Sequence, residues 1–120
     1  MDRKAAIRAY KEGWRPMGVY RVRNIVTGKS LVAASTDLPA IFNRHRAQLR
    51  IGSHPDRGLQ KDWNELGQEA FEFEVLDTLT PPDEPGYDPS GDLRVLEQLW
   101  IAKLSLVEAQ AYSTKPKRAT

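Results

Sequence analysis

The chain has 120 residues, 40% hydrophobic and 28% charged, which is enough for one globular domain and argues against a disordered chain. It contains no cysteine, which excludes disulfide bonds and thiolate zinc sites. The formal net charge is +2, but residues 1–60 carry 12 Lys or Arg against 4 Asp or Glu, whereas residues 61–120 carry 6 against 12.

This charge asymmetry has two interpretations. A basic half is what a nucleic-acid backbone attracts, because cationic side chains release the counterions of the phosphates they neutralise. Alternatively, the two halves attract each other, or the charges are simply solvated. No apolar run is long enough to span a membrane, and the N-terminus lacks a secretory signal, so we expect a cytoplasmic protein without a membrane partner.

The first half of the chain predicts two paired strands. Gly18 to Arg23 has the spacing of a half-buried strand, and Ser30 to Ala34 is a compact apolar run of strand length. Asn24 to Gly28 lies between them and predicts a turn, in which Gly28 is free to adopt a positive φ. We therefore expect an antiparallel hairpin.

A capped helix is predicted directly after this hairpin. Thr36 or Asp37 supplies the N-cap, Pro39 fits the first turn, and Gly52 ends the helix. Helical spacing predicts one apolar face, formed by Leu38, Ile41, Phe42, His45 and Leu49.

The rest of the chain predicts two more helices and one more strand. A helix from His54 to Leu66 would bury Leu59, Trp63 and Leu66, and Phe71 to Val75 alternates like a strand. A proline-rich loop, Pro81 to Pro89, leads to a helix capped by Ser90 or Asp92, with an inward stripe of Leu93, Leu96, Leu99, Trp100 and Leu104. The predicted organisation is an N-terminal helix (Asp2–Gly13) and linker over 1–16, one domain over 17–113 and a basic disordered tail over 114–120.

Five blocks in this order resemble a GIY-YIG nuclease domain. They are Gly18-Val19-Tyr20, Leu31-Val32-Ala33, Arg44-His45, the run from Gly52 to Leu79, and Glu97-Gln98-Leu99-Trp100. The resemblance covers Met17 to Leu104. It implies an α/β (α+β) fold, in which a small, largely antiparallel three-stranded sheet is flanked by helices.

The resemblance also implies roles for individual residues. Tyr20 matches the probable general base of the family, His45 an assisting histidine, and Glu97 the carboxylate that holds one divalent ion. A single carboxylate with waters suits Mg²⁺.

The chain departs from the family pattern at three places. The second motif, Leu31-Val32-Ala33, has lost its phenol and its glycine; the family's helix arginine falls on Ile41; and the late asparagine is replaced in the region Ala111-Tyr112-Ser113. Arg44, three residues after Ile41, would have to replace the helix arginine.

Each of these residues also has a purely structural interpretation. Tyr20 and His45 would then be satisfied core residues, and Glu97 a retained hydrogen-bonding group. Arg46, Arg50 and His54 are candidates for phosphate contacts; alternatively, the arginines are a solvated flank and His54 caps the following helix. If the implied site is right, Tyr20, His45 and Glu97 converge in one cleft.

Three functions follow from these observations. The first is a nuclease-like protein that engages nucleic acid, with DNA as the expected partner, and has weak or lost Mg²⁺-dependent cleavage. The second is an active Mg²⁺-dependent endonuclease in which Arg44 substitutes for the missing arginine. The third is a non-catalytic protein-interaction module. Any sequence specificity would come from a protein partner or a homodimer.

Overall fold

The computed structural model describes residues 13–104 and 111–112. Within these ranges, one antiparallel sheet has the strand order β2-β1-β3 and is flanked by three helices. The elements are β1 (Gly18–Asn24), β2 (Ser30–Ser35), α1 (Leu38–Ile51), α2 (Arg57–Leu66), β3 (Phe71–Thr78) and α3 (Ser90–Leu104), with a 3₁₀ turn at Gln68–Ala70. The predicted α+β architecture is confirmed.

Two predicted segments lie outside the described residues: the N-terminal helix, apart from Gly13, and the basic tail. In the part of the chain that is described, no helix is both long and apolar enough to cross a membrane.

The predicted turn between β1 and β2 forms around Asn24. Its backbone carbonyl accepts the Gly28 N–H at 2.8 Å, and its side-chain oxygen accepts the N–H groups of Val26 and Thr27. Gly28 has a φ of 84°, as predicted for a residue without a Cβ. The fully buried Asn24 therefore fixes the hairpin from inside the core.

Helix α1 forms as its sequence predicts. Asp37 is the N-cap and accepts the Ala40 N–H, and Gly52 ends the helix with a φ of 81°. Leu38, His45 and Leu49 are buried, and Ile41 and Phe42 pack against the core from half-buried positions. The apolar face of α1 is thereby confirmed.

The other two helices differ from their predictions in detail. Helix α2 begins at Arg57, and its N-cap is Asp56, which accepts the Leu59 N–H, so the predicted start at His54 is wrong. Leu66 is 41% exposed and Leu99 is 60% exposed. Both were predicted to face inward, and their exposure shows that neither is buried in the core.

An irregularity in β3 lies next to Tyr20. Val19 pairs with Asp77, whereas the next residue, Tyr20, pairs with Val75, so Leu76 is an extra residue on β3. Such a bulge bends its strand and redirects neighbouring side chains, and bulges are common beside active sites. β3 also extends to Thr78, three residues beyond the predicted end.

Candidate active site

Tyr20 lies in the central strand of the sheet and is 3% exposed. Phe42 from α1 packs against its ring in a T-shaped arrangement, with ring centres 5.5 Å apart. The Tyr20 hydroxyl lies 2.8 Å from Nε2 of His45, which projects from the buried face of α1. The sequence placed both residues in one site, and the structure joins them directly.

His45 is in turn bonded to His54, in the segment between α1 and α2. His45 Nδ1 and His54 Nε2 are 2.7 Å apart, and the two rings stack with centres 5.0 Å apart. His54 Nδ1 accepts the backbone N–H of Asp56 at 3.0 Å. Three side chains therefore form one buried chain, from the Asp56 amide through both histidines to the Tyr20 hydroxyl.

This geometry corrects the expectation for His54. The residue is 2% exposed and both of its ring nitrogens are hydrogen-bonded within the protein, so it is not positioned to contact a phosphate. It does not cap α2 either, because Asp56 does so. His54 instead forms a hydrogen bond with Nδ1 of His45, the ring nitrogen that does not face Tyr20.

Gln60 holds His54 in place, a role that the sequence did not reveal. Its Oε1 accepts the backbone N–H of His54 at 3.0 Å, and its Nε2 donates to the Leu49 carbonyl at the end of α1. Gln60 is 1% exposed, which is unusual for a glutamine. The sequence signal was weak, because Gln60 only adjoins the predicted apolar position Leu59 on α2.

Burial and nearby charges shift the proton affinities of this chain. The pKa of His45 is lowered to about 4, first by burial and then by the positive charges that His54 and Arg44 would present. Burial also lowers the pKa of His54. Both rings are therefore neutral at pH 7, and a neutral imidazole has one nitrogen that donates and one that accepts.

The pKa of Tyr20 is shifted the other way. Burial raises it most, the negative charge of Glu97 raises it further, and the positive charge of Arg44 lowers it. Tyr20 is thus a neutral phenol at pH 7.

Glu97 and Arg44 approach the site from different elements. Glu97 is half-buried on α3, which packs against β1 and β2, and Arg44 is exposed on α1. Both charges act on the Tyr20 hydroxyl, yet no hydrogen bond joins either of them to Tyr20 or His45 among the described residues. A single cleft shared by Tyr20, His45 and Glu97 therefore stays a prediction.

Two of the departures from the family pattern, at Ile41 and Leu31, are apolar side chains that contact the core. Ile41 sits one turn before His45 and packs against the core, so no cation occupies that helix position. Leu31 in the second motif is 1% exposed on β2. Apolar contacts occupy both positions where the resemblance implied polar groups.

Glu97 is the carboxylate that would hold a metal near Tyr20. Over residues 13–104 and 111–112, no three His, Asp or Glu side chains are grouped as a metal site. A lone carboxylate fits Mg²⁺, which commonly keeps several waters and takes one or two protein carboxylates together with substrate oxygens. Its donor chemistry therefore fits Mg²⁺ better than an ion that needs an all-protein cage.

The arginines of β1 and those of α1 differ in whether a carboxylate neutralises them. Arg21 bonds Glu74 at 2.8 Å and Arg23 lies 3.9 Å from Glu72, so part of the charge asymmetry is neutralised between β1 and β3. On α1, the Arg46 guanidinium lies 4.4 Å from the ring centre of Phe73, whereas Arg50 is exposed. Arg44, Arg46 and Arg50 are thus the cations that α1 contributes, and none of them is ion-paired with a carboxylate among the described residues.

Gly18, the first residue of the first motif, has a steric reason to be glycine. A Cβ at this position would collide with the backbone carbonyl oxygen of Asp77 on β3. Only glycine lets β1 and β3 approach this closely beside the bulge, and this approach sets the position of Tyr20 two residues later.

Comparison with known proteins supports the fold. A scan against models of protein families and a search of curated proteins found no match. Two solved structures are similar. The catalytic domain of the homing endonuclease I-TevI is 25% identical, with a TM-score of 0.65 over 83% of this chain and 99% of that one. A mutant of the catalytic domain of intron endonuclease I-TevI is 24% identical, with a TM-score of 0.67 over 88% and 97%. The chain therefore has a GIY-YIG-like domain.

Proposed function

We propose that this GIY-YIG-like domain is a nuclease-like protein that engages nucleic acid, with DNA as the expected partner, and has weak or lost Mg²⁺-dependent phosphodiester cleavage. One observation carries the proposal. The hydrogen-bonded chain of Tyr20, His45 and His54 is intact, but the helix position one turn before His45 holds the apolar Ile41. The proton-handling groups are present without the cation that would brace a phosphate.

Similarity to an endonuclease catalytic domain supports a nucleic-acid partner. The exposed arginines of α1, Arg44 and Arg50, lie on the helix that carries His45 and would meet a phosphate backbone from that side. Arg21 and Arg23 are paired with glutamates of β3, so these two cations should contribute less to such an interaction.

Each side chain has a distinct part in the proposed chemistry. Tyr20 would accept the proton of the attacking water, which requires its ionised form. Mg²⁺ held by Glu97 would supply positive charge for the phosphate and the leaving oxygen. His45 holds the Tyr20 hydroxyl in position, and His54 orients His45.

The missing cation weakens this chemistry in two ways. A cation on a transferring phosphoryl group contributes on the order of 10³–10⁵ in rate in other phosphoryl-transfer enzymes. A positive charge at position 41 would also lower the pKa of Tyr20, as the charge of Arg44 does. Without it, burial and Glu97 keep the phenol protonated, which leaves little base at neutral pH.

A binding series and a cleavage assay test the proposal together. We expect duplex DNA to bind with an affinity that falls linearly with salt on logarithmic axes. With Mg²⁺, cleavage should be slow or absent, and any product should disappear with a chelator. Salt-independent binding, or no binding at low salt, would favour a protein-interaction module instead.

A second candidate function, an active endonuclease, is favoured by Arg44. Its charge acts on both Tyr20 and His45, so a cation is already present near the site although it is three residues from position 41. If Arg44 braces the phosphate, the wild-type protein cleaves at ordinary nuclease rates and Arg44→Ala abolishes cleavage while DNA binding persists. Under the first proposal the wild type is already slow, and Arg44→Ala should lower its cleavage only slightly, through weaker DNA binding and a higher Tyr20 pKa.

A further inference from the structure

We infer that His45 donates its Nε2 proton to the Tyr20 hydroxyl, and that His54 and the backbone amide of Asp56 are positioning groups that fix this direction. The catalytic meaning of this inference rests on the proposed function. The direction of the hydrogen bonds is a property of the free protein and is testable without substrate.

The Asp56 backbone amide is a donor that cannot also accept, so it fixes the direction of the first hydrogen bond of the chain. The Asp56 backbone N–H points at His54 Nδ1 at 3.0 Å, and a backbone amide can only donate. His54 Nδ1 therefore carries no proton. A neutral imidazole has one N–H, so the proton of His54 is on Nε2.

The proton position on His54 in turn determines the tautomer of His45. The His54 Nε2 proton lies 2.7 Å from His45 Nδ1, which must accept it. His45 is neutral and therefore carries its own proton on Nε2, which faces the Tyr20 hydroxyl oxygen at 2.8 Å. Every bond in the chain then has one donor and one acceptor.

The opposite direction leaves two donors facing each other. If Tyr20 donated to His45 Nε2, His45 would carry its proton on Nδ1 and His54 would carry its proton on Nδ1 as well. That proton would meet the Asp56 N–H at a separation of 3.0 Å. Burial of two opposed donors costs at least the loss of one buried hydrogen bond, so the structure favours the first direction.

This direction changes what the histidines can do for Tyr20. Because His45 presents a proton, it cannot take the proton of Tyr20, and the phenol must release that proton on its other side, away from His45. After release, the His45 N–H still donates to the oxygen and stabilises the phenolate. His45 is therefore a donor that favours ionised Tyr20, and the phenol proton does not leave through His45.

Nuclear magnetic resonance of the protein labelled with ¹⁵N-histidine tests the direction at pH 7. Long-range proton–nitrogen correlations distinguish a protonated from an unprotonated ring nitrogen. We expect both His45 and His54 to carry their proton on Nε2. A proton on Nδ1 of either residue overturns the inference, whatever the protein does with DNA.

Two substitutions test whether His54 is the positioning group. In His54→Leu, the donor to His45 Nδ1 is lost, and we expect His45 to become a mixture of both tautomers. In His54→Gln, the side-chain amide can still donate, and His45 should keep its Nε2 proton. If His45 stays purely Nε2-protonated in His54→Leu, its tautomer is fixed by something else and His54 is not the positioning group. Should His54→Leu fail to fold, the wild-type and His54→Gln spectra still decide the direction.

Binding and cleavage assays separate this inference from the proposed function. A protein with the expected tautomers that neither binds nor cleaves nucleic acid leaves the inference standing and removes the proposed function. A protein that binds DNA but carries Nδ1 protons leaves the proposed function standing and removes the inference.

Discussion

The Tyr112 hydroxyl donates a 2.6 Å hydrogen bond to Asp62 on α2 and also accepts a 3.0 Å hydrogen bond from Asn24 at the end of β1. Tyr112 is 7% exposed, and its backbone N–H bonds the Ser30 carbonyl on β2. The Tyr112 side chain thus joins the β1–β2 hairpin to α2, the helix that begins three residues after His54.

Tyr112→Phe tests how much this junction contributes. The substitution keeps the packing of the ring but leaves the buried Asn24 amide and the half-buried Asp62 carboxylate without this partner, so we expect a loss of about 1–3 kcal/mol in the free energy of unfolding. Urea denaturation measures it. Tyr87→Phe is the matched control, because its hydroxyl bonds Asp92 at an exposed position and its loss should be smaller. Equal losses for both variants would contradict this role of Tyr112.

Gly18→Ala and Gly91→Ala form a second matched pair. The new Cβ at position 18 collides with the Asp77 carbonyl, so β1 and β3 must separate, and we expect a loss of several kcal/mol or failure to fold. At position 91, within α3, a Cβ has nothing within 4 Å, and alanine should be neutral or stabilise by up to about 1 kcal/mol. Thermal unfolding compares the two variants. If Gly18→Ala unfolds at the wild-type temperature, β1 and β3 are farther apart at this position than described.

The lowered pKa of His45 predicts a pH-dependent stability. The unfolded residue binds a proton near pH 6.5, whereas the folded one does so only near pH 4. The full contribution is therefore present above pH 6.5 and is lost as the pH falls through this range, by up to about 3 kcal/mol. Urea unfolding of the wild type and of His45→Gln at pH 7 and pH 4.5 checks this. The two proteins should converge toward the lower pH, and parallel curves would mean that His45 titrates normally.

The arginines of α1 should differ from those of the sheet in their effect on nucleic-acid binding. Arg50→Ala removes an exposed cation and should reduce the salt slope by about one unit, as expected for one phosphate contact. Arg46→Ala should have a similar effect if its guanidinium edge reaches the backbone while its face stays on Phe73. Arg23→Ala is the control, because Arg23 pairs with Glu72 on β3. If all three variants reduced the salt slope equally, the nucleic acid would contact the sheet arginine as well as the α1 arginines, and the expected difference between them would be wrong.

The sequence predicted best those features that depend on neighbours along the chain. The cap at Asp37, the positive φ of Gly28 and Gly52, and the apolar face of α1 are all local, and each formed as expected. The exposure of Leu99 was not predictable, because helical spacing shows that a residue lies near an apolar stripe but not how far the sheet covers it.

The order of the motifs predicted that Tyr20 and His45 belong to one candidate site, and the two are hydrogen-bonded, but it did not predict the hydrogen bonds that hold His45. The bond between His45 and His54 forms across the end of α1, where the chain reverses, and no spacing rule predicts such a contact. The Asp56 amide that fixes the tautomers is a backbone group and has no signature in the sequence.

Ile41→Arg tests the account of the missing cation. The new guanidinium would stand one turn before His45, brace a phosphate and lower the pKa of Tyr20. Because Ile41 is half-buried against the core, an arginine there also costs stability, and thermal unfolding must be measured beside activity. Ile41→Met is the matched control, with a long side chain and no charge. Leu31→Tyr is not suitable as a second substitution beside Ile41→Arg, because Leu31 is 1% exposed and a larger ring would overpack the core.

The most direct measurement is single-turnover cleavage of duplex DNA with Mg²⁺ by the wild type, Ile41→Arg, Ile41→Met and the double variant Ile41→Arg with Glu97→Gln. The account predicts slow or undetectable cleavage by the wild type and Ile41→Met. It predicts a gain of about tenfold or more for Ile41→Arg, which is a modest part of what a well-placed arginine contributes. That gain should vanish in the double variant or with a chelator. A folded Ile41→Arg protein that binds DNA and cleaves no faster than Ile41→Met would contradict the central claim.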